Sequence, residues 1–152
     1  MNIQFKPIDK SNYDLCTDLK VAPGQKSYVA PNWYSLVQAA YEPEMFPLAI
    51  YNGDVMVGFI LYDFDYELAA WSLSRFMIDE KHQGKGIGKL ALTKFLELFA
   101  NKHNAKIIYT SVDIENLQVM LLYESFGFKR GEVFEYKHSG KTYKERRMVL
   151  HF

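Results

Sequence analysis

The sequence predicts a mixed α/β fold, a single domain over residues 1–152 in which helices flank one sheet. Three observations predict it. Strand patterns come first, around a hairpin signal at Asn52-Gly53, where both residue types tolerate positive φ. Strand and helix patterns then alternate, which adds a βαβ unit to the hairpin run. A glycine-rich turn joins one of those strands to the clearest helix. The length of 152 residues suits one ordinary domain, and 49% apolar residues supply its core.

Each element has its own signal. Ile3, Phe5 and Ile8 suggest a short first strand. Asp9 or Ser11 is placed to cap a helix running to about Val21, stopped by Pro23-Gly24. Asn32 is a good N-cap for a second helix, which runs to Tyr41 before Pro43. Phe46–Ile50 and Val55–Tyr62 read as the hairpin strands. The acids Asp63, Asp65 and Glu67 interrupt the apolar pattern, and a strand from about Ala69 to Ile78 follows. Beyond the glycine turn, Ile87, Leu90, Ala91, Phe95, Leu98 and Phe99 form one apolar stripe, with Lys89, Thr93, Glu97 and Asn101 off it. Lys106–Val112 is rich in β-formers. Asn116 can cap a helix ending near Gly127. Phe128–Tyr136 and Tyr143–Leu150 read as two last strands joined at Ser139-Gly140.

Charge and cysteine content narrow the function. Eighteen Lys+Arg balance eighteen Asp+Glu, without the basic excess of a dedicated nucleic-acid binder. The one cysteine, Cys16, excludes an internal disulfide framework and fits a reducing compartment. The N-terminus lacks a basic segment followed by an apolar one, and no apolar run approaches the ~20 residues of a membrane span. The expectation is a cytoplasmic protein with neither nucleic acid nor membrane as partner.

The informative segment is Gln83-Gly84-Lys85-Gly86-Ile87-Gly88. Alternating glycines let the chain take φ values closed to other residues and let a ligand approach the backbone. Successive N–H groups in such a turn make an anion nest, and the helix N-terminus behind it adds donors and partial positive charge. Lys85 and Lys89 lie at the same end, so a pyrophosphate fits. A Walker A loop does not: position 83 is Gln, and Gly88-Lys89 is followed by Leu90. The dinucleotide fingerprint also fails, because the sixth position from Gly84 is Lys89. A flexible turn that binds nothing is the bland alternative.

Gln83-x-x-Gly86-x-Gly88 resembles the Arg/Gln-x-x-Gly-x-Gly/Ala signature of the GNAT family of N-acetyltransferases. A second segment, Asn116-x-x-Val119-x-x-Leu122-Tyr123-Glu124-Ser125-x-Gly127-Phe128, is similar to that family's Asn-x-x-Ala-x-x-Leu-Tyr-Glu-Lys-x-Gly-Phe, in the family's order and separation. Gln25–Val29, Pro31-Asn32 and Arg75–Glu80 resemble the bacterial spermidine/spermine acetyltransferases within it. The resemblance implies a GNAT-type, largely antiparallel sheet and acetyl transfer from acetyl-CoA, as co-substrate, to a small amine. The acceptor it favours is a diamine or polyamine such as spermidine or spermine.

Residue roles follow from the same resemblance. Gln83, Gly84, Lys85, Gly86, Ile87, Gly88 and Lys89 would hold the pyrophosphate. Phe76, Met77 and Ile78 would run beside pantetheine on a strand that splays from its neighbour. Asn116 would lie near the pantetheine arm and Tyr123 by the sulfur, as the acid that protonates the thiolate. These two are seven residues apart, so they share a helix face roughly 10 Å apart. A buried tyrosine in an amphipathic helix is otherwise an ordinary core aromatic. Asp63, Asp65 and Glu67, with Glu42 after the second helix, are the expected receivers of a remote ammonium group; the bland reading is a solvated turn.

The base is left open. Ser74 stands where polyamine acetyltransferases can carry a Glu, and Arg75 follows it. Glu67 or Asp113 acting through water is one alternative, and capture of the small deprotonated fraction of amine is another. His82 reads as solvated. His103, His138 and His151 lack metal-ligand spacing with one another or with Cys16, so no metal is expected. Lys137, Lys141, Lys144, Arg146 and Arg147 read as a charged hairpin edge. A homodimer through a β-edge or helix contacts is expected by resemblance alone. The remaining function alternatives are acetylation of a protein, a peptide or an aminoglycoside, and an acyl-CoA-binding sensor without turnover.

Overall fold

The computed structural model describes residues 1–152. Seven strands form one sheet: β1 (Ile3–Pro7), β2 (Met45–Asn52), β3 (Val55–Asp65), β4 (Ala70–Ile78), β5 (Ile107–Asp113), β6 (Lys129–His138) and β7 (Lys141–His151). Their spatial order is β1-β2-β3-β4-β5-β7-β6. Every neighbouring pair is antiparallel except β4 and β5, which run parallel as the βαβ pattern requires. The four helices are α1 (Tyr13–Asp18), α2 (Asn32–Tyr41), α3 (Ile87–His103) and α4 (Leu117–Ser125). None is long and apolar enough to cross a membrane.

Strand alternation divides the apolar residues between two faces. Ile50, Ile60, Tyr62, Leu73, Ile78 and Ile108 pack with Ile87, Ala91, Leu92, Phe95 and Phe99 of α3 and Met120 and Tyr123 of α4. On the other face Ala49, Tyr51, Phe59, Leu61 and Met77 pack with Cys16 of α1 and Leu36 of α2. Cys16 is fully buried, and burial pushes its thiol up to about 12, so it behaves as a small apolar side chain.

Several local expectations are corrected. The first helix is shorter and starts at Tyr13 after Asn12. Asp9 does not cap it: its carboxylate takes the Ser11 N–H and hydroxyl, an Asx turn that holds its pKa down. The helix stops at Asp18 because Lys20 is claimed elsewhere. The Lys20 N–H donates to Asp79 Oδ1 (2.9 Å), and its carbonyl accepts from the Glu80 N–H (2.7 Å). Asn32 is the first residue of α2 and Pro31 precedes it as the cap. The buried Asn32 amide instead donates to the Cys16 carbonyl (2.9 Å), tying α2 to α1.

The turns are closer to expectation. Asn52 pairs with Val55, so Gly53-Asp54 forms the two-residue loop, with only Gly53 at positive φ. Ser139 and Gly140 both take positive φ, the condition for a type I′ hairpin. The charged hairpin-edge reading fails for Arg146 and Arg147. These two lie in the part of β7 that runs between β5 and β6, whereas Lys137 is on the edge strand β6, and Lys141 and Lys144 pair with β6 alone. Three of these cations have local partners: Lys144 pairs with Glu135, Arg147 with Glu132, and Arg146 donates to the Gly131 carbonyl.

The buried face of α3 is rotated relative to the expected stripe. Leu98 is 58% exposed, while Leu92 and Leu96 are buried, because the helix is covered by the sheet on one side and by α4 and β7 residues on the next. This predicts a clear contrast in denaturant unfolding. Leu92→Ala should destabilise by about 2–5 kcal/mol, and Leu98→Ala by less than about 0.5 kcal/mol. Equal losses would contradict the helix orientation.

Candidate active site

The parallel pairing of β4 with β5 is only two residues long, Ser72 with Tyr109 and Leu73 with Thr110. Beyond Leu73 the strands part. The backbone edge of Arg75–Ile78 that faces β5 therefore meets no strand, although its other edge stays paired to β3. Thr110 Oγ1 donates to the Leu73 carbonyl (2.9 Å) at the point of parting. Phe76 is half-buried against the α3 side, Ile78 is buried there, and Met77 is buried on the opposite face.

The chain leaves β4 through a 3-10 turn, Glu80–His82, and enters the glycine turn. Gln83 does not point outward. Its amide donates to the Ile78 carbonyl (2.9 Å) and exchanges hydrogen bonds with the Gln25 amide, so it fixes the loop to the end of β4. Gly84 and Gly86 take φ of +74° and +78°. Gly86 is the N-cap of α3, and a Cβ there would point into nearly open space. Gly88 serves a different need: its Cβ would lie 3.4 Å from Ile78, where α3 crosses close to β4. The backbone N–H groups of Gly84, Lys85, Gly86, Ile87, Gly88 and Lys89 donate to no backbone acceptor. Six amides thus stand free at a helix N-terminus, the arrangement that suits a phosphate. Lys85 Nζ reaches the Lys81 carbonyl, and Lys89 is exposed on the first turn of α3. His82 is half-exposed beside this turn.

Asn116 caps α4, accepting from the Val119 N–H (3.4 Å). Tyr123 lies two turns on, 5% exposed, its ring edge-on to Phe128. Burial pushes its hydroxyl up to about 12, with the Thr110 hydroxyl beside it offsetting part of the rise. Tyr123 is therefore both a core aromatic and a proton-bearing hydroxyl next to the strand parting. At neutral pH that proton is held, as a general acid requires.

On the opposite face of the sheet, a pocket of about 350 Å³ is lined by Asp65, Glu67, Ser72, Tyr109, Tyr136 and Arg147, among others. Glu135 and Phe134 complete its β6 wall. Asp65 Oδ1 accepts from the Glu67 and Leu68 N–H groups and so shapes the turn into β4. Tyr136 donates to Glu145 Oε2 (2.9 Å), and Ser111 donates to Glu145 Oε1 (2.7 Å). Burial and the Glu145 carboxylate both push the Tyr136 hydroxyl upward. Glu42 is exposed at the end of α2 and does not line the pocket. Asp113 is turned toward the Glu115 N–H (2.9 Å). Glu135, Tyr136 and Glu145 were missed from sequence because the β6–β7 segment reads first as basic. The signal that could have found them is the acid–aromatic alternation Glu132, Phe134, Tyr136 against Glu135 and Glu145.

Asp63 stands apart from its acidic neighbours. It accepts a hydrogen bond from Ser74 Oγ. Ser74 is the unpaired residue of a β-bulge: Leu61 pairs with Arg75 and Tyr62 with Leu73, leaving Ser74 between them. Burial, and the charge of Asp65, raise the Asp63 pKa, while the Ser74 bond and the Arg75 guanidinium oppose the rise. Arg75 itself reaches the Ser74 carbonyl and Gln38 of α2.

Comparison with known proteins meets this geometry. The acetyltransferase (GNAT) family model matches residues 12–128, which include the glycine turn, the parted strands and all of α1 to α4. The spermine/spermidine N(1)-acetyltransferase of Bacillus subtilis strain 168 is 33% identical over 135 residues, covering 85% of this chain and 89% of that protein. A probable spermine N(1)-acetyltransferase of Bacillus subtilis subsp. natto is 32% identical over the same shares. Among solved structures, the spermidine N-acetyltransferase of Vibrio cholerae in complex with CoA and spermine superposes with a TM-score of 0.77 at 19% identity, over 98% of this chain and 95% of that one. The ribosomal-protein-S18-alanine N-acetyltransferase of Escherichia coli gives 0.73 at 14%, over 99% and 94%. A matched model spanning the free amides and the parted strands, with relatives aligned along most of their length, leaves one conclusion: this chain belongs to the GNAT acetyltransferase family.

Proposed function

We propose that this protein transfers the acetyl group of acetyl-CoA to a primary amine of a diamine or polyamine, of the spermidine and spermine class. One observation carries the transfer reading: six free amides, Gly84 to Lys89, face the same end of the sheet at which β4 and β5 part. The amides and the α3 N-terminus would take the pyrophosphate, with Lys85 and Lys89 adding charge. Pantetheine would lie along Phe76–Ile78, whose unpaired backbone edge replaces the missing strand with hydrogen bonds to the ligand. A β4 N–H would hold the carbonyl oxygen as it becomes an oxyanion. Asn116 orders the start of α4, and Tyr123 would protonate the departing sulfur.

The acceptor class rests on the pocket and on the relatives. The fold alone is shared by enzymes whose names specify a polyamine and a ribosomal protein, so it does not select the amine. The two Bacillus relatives are named for spermine, and identity to them runs along most of the chain. The pocket adds chemistry that suits a cation: Asp65 and Glu67 line it with aromatic walls, while Glu135 is paired with Lys144 and its one cation, Arg147, with Glu132. Low-dielectric walls focus such a field on an ammonium group.

Three outcomes test the reading. Gly86→Val places a branched side chain at φ +78° in front of the amides. Calorimetric acetyl-CoA affinity should fall at least about tenfold, and unchanged affinity in a folded variant would remove the glycine turn from the site. Tyr123→Phe should lower kcat about 10²-fold or more with acetyl-CoA affinity little changed. Unchanged kcat, with chemistry limiting, would return Tyr123 to a packing role. Spermidine should have a higher kcat/KM than a monoamine of similar length. Asp65→Asn and Glu67→Gln should each raise the spermidine KM up to about fivefold and leave the monoamine untouched. Equal use of both amines, with no effect of either substitution, would contradict the polyamine reading.

A further inference from the structure

We infer that Ser74 and Asp63 together form the proton acceptor for the incoming amine, Ser74 touching the nitrogen and Asp63 acting through it. The inference rests on the acetyl-transfer reading and is independent of which amine is used. It starts from a chemical need. An alkylammonium with pKa near ~10.4 is overwhelmingly protonated at neutral pH, and its nitrogen attacks only after losing a proton.

The placement of Ser74 meets that need. β5 leaves β4 after Leu73, so Ser74 is the first β4 residue past the parting. The bulge frees it from pairing with β3, and its hydroxyl is directed to Asp63 Oδ1. Asp63 reaches it from the adjacent strand, and it is half-buried, unlike the exposed Glu67. Tyr62 faces the α3 side, so Asp63 faces the α2 side, where Gln38 meets Arg75. Tyr123 packs on the α3 side. A base on one face and an acid on the other then bracket the parting from opposite sides. The charged groups facing Asp63 are Asp65 on its own strand and Arg75 on β4; Gln38 of α2 and Ser72 of β4 are uncharged. Asp65 and burial favour the protonated acid, while Arg75 and the Ser74 bond favour the carboxylate. The net shift is upward, and a carboxylate so shifted is a better proton acceptor than a solvated one.

The proton balance closes. The ammonium N–H bond breaks as its proton passes to Ser74 Oγ and the hydroxyl's own proton passes to Asp63 Oδ1. The nitrogen keeps the electron pair and attacks the thioester carbon. Collapse of the adduct breaks the C–S bond, and the sulfur takes a proton from Tyr123. The adduct's excess N–H proton replaces the one Tyr123 gives, and Asp63 returns its proton to water. The products are the amide, the thiol and one released proton.

The experiment compares wild type, Asp63→Asn, Ser74→Ala and Ser74→Thr with three acceptors: spermidine, butylamine and aminoacetonitrile, whose amine is already neutral at pH 7. With the two alkylamines, wild-type kcat should level off near neutral pH. Asp63→Asn and Ser74→Ala should be slower by about 10²-fold at pH 7, with log kcat rising by one per pH unit, because only free amine reacts. Ser74→Thr, which keeps the hydroxyl, should restore most of the rate. With aminoacetonitrile both slow variants should come within about threefold of wild type. Loss of equal size for all three amines, or an effect on KM alone, would overturn the inference; the latter would make Asp63 a cation-binding group. Wild type that acetylates none of the three would overturn the acetyl-transfer reading itself, and the inference with it.

Discussion

The parting of β4 from β5 is the constraint on which the rest of the site depends. A sheet interior normally pairs both edges of every strand, because a buried N–H or carbonyl without a partner is costly. Here the parallel pair is abandoned after two residues, and one edge of β4 is left open in the middle of a seven-stranded sheet. Such an opening persists only if the flanking structure holds it. The remaining β4 edge stays paired to β3, and β5 is held on its far side by a seven-residue ladder to β7. Thr110 closes the apex with its bond to the Leu73 carbonyl.

The surrounding elements are then placed by that opening. Gln83 ties the glycine turn to the last carbonyl of β4, so the free amides of α3 sit at the wide end of the gap. The Gln25–Gln83 amide pair couples the same turn to the segment before α2. Tyr123 arrives at the narrow end from α4, beside Thr110. The bulge at Ser74 falls at the same level. A phosphate site, a backbone edge and two hydroxyl-bearing side chains therefore share one frame, and each depends on contacts made by a different element. We propose that this frame carries the acyl transfer and that the separate acidic pocket selects the amine.

The parts legible in the sequence were those with local causes. Gly84 and Gly86 announce positive φ, Asn116 announces a cap, and Ser139-Gly140 announces a tight hairpin, because each requirement is set by a few neighbouring residues. The Asn116–Tyr123 spacing is likewise fixed by one helix. What escaped was set by contacts distant in the chain. Asn32 looks like a cap but is spent on the Cys16 carbonyl sixteen residues earlier. Leu98 keeps the helical period yet faces water, because the cover over α3 is set by α4 and β7. The bulge at Ser74 and its bond to Asp63 depend on the β3–β4 register, which neither strand reveals alone. Glu135 and Glu145 were hidden among cations that pair locally.

The free amides of Gly84–Lys89 and the open edge of β4 would together form a single cofactor seat. The most direct measurement is a backbone amide NMR titration with acetyl-CoA. The largest shifts should fall on Gly84–Lys89 and Arg75–Ile78 together, saturating at one equivalent, with Ile3–Pro7 of β1 unmoved. Large shifts confined to other surfaces, with Gly84–Lys89 unperturbed at saturation, would contradict it.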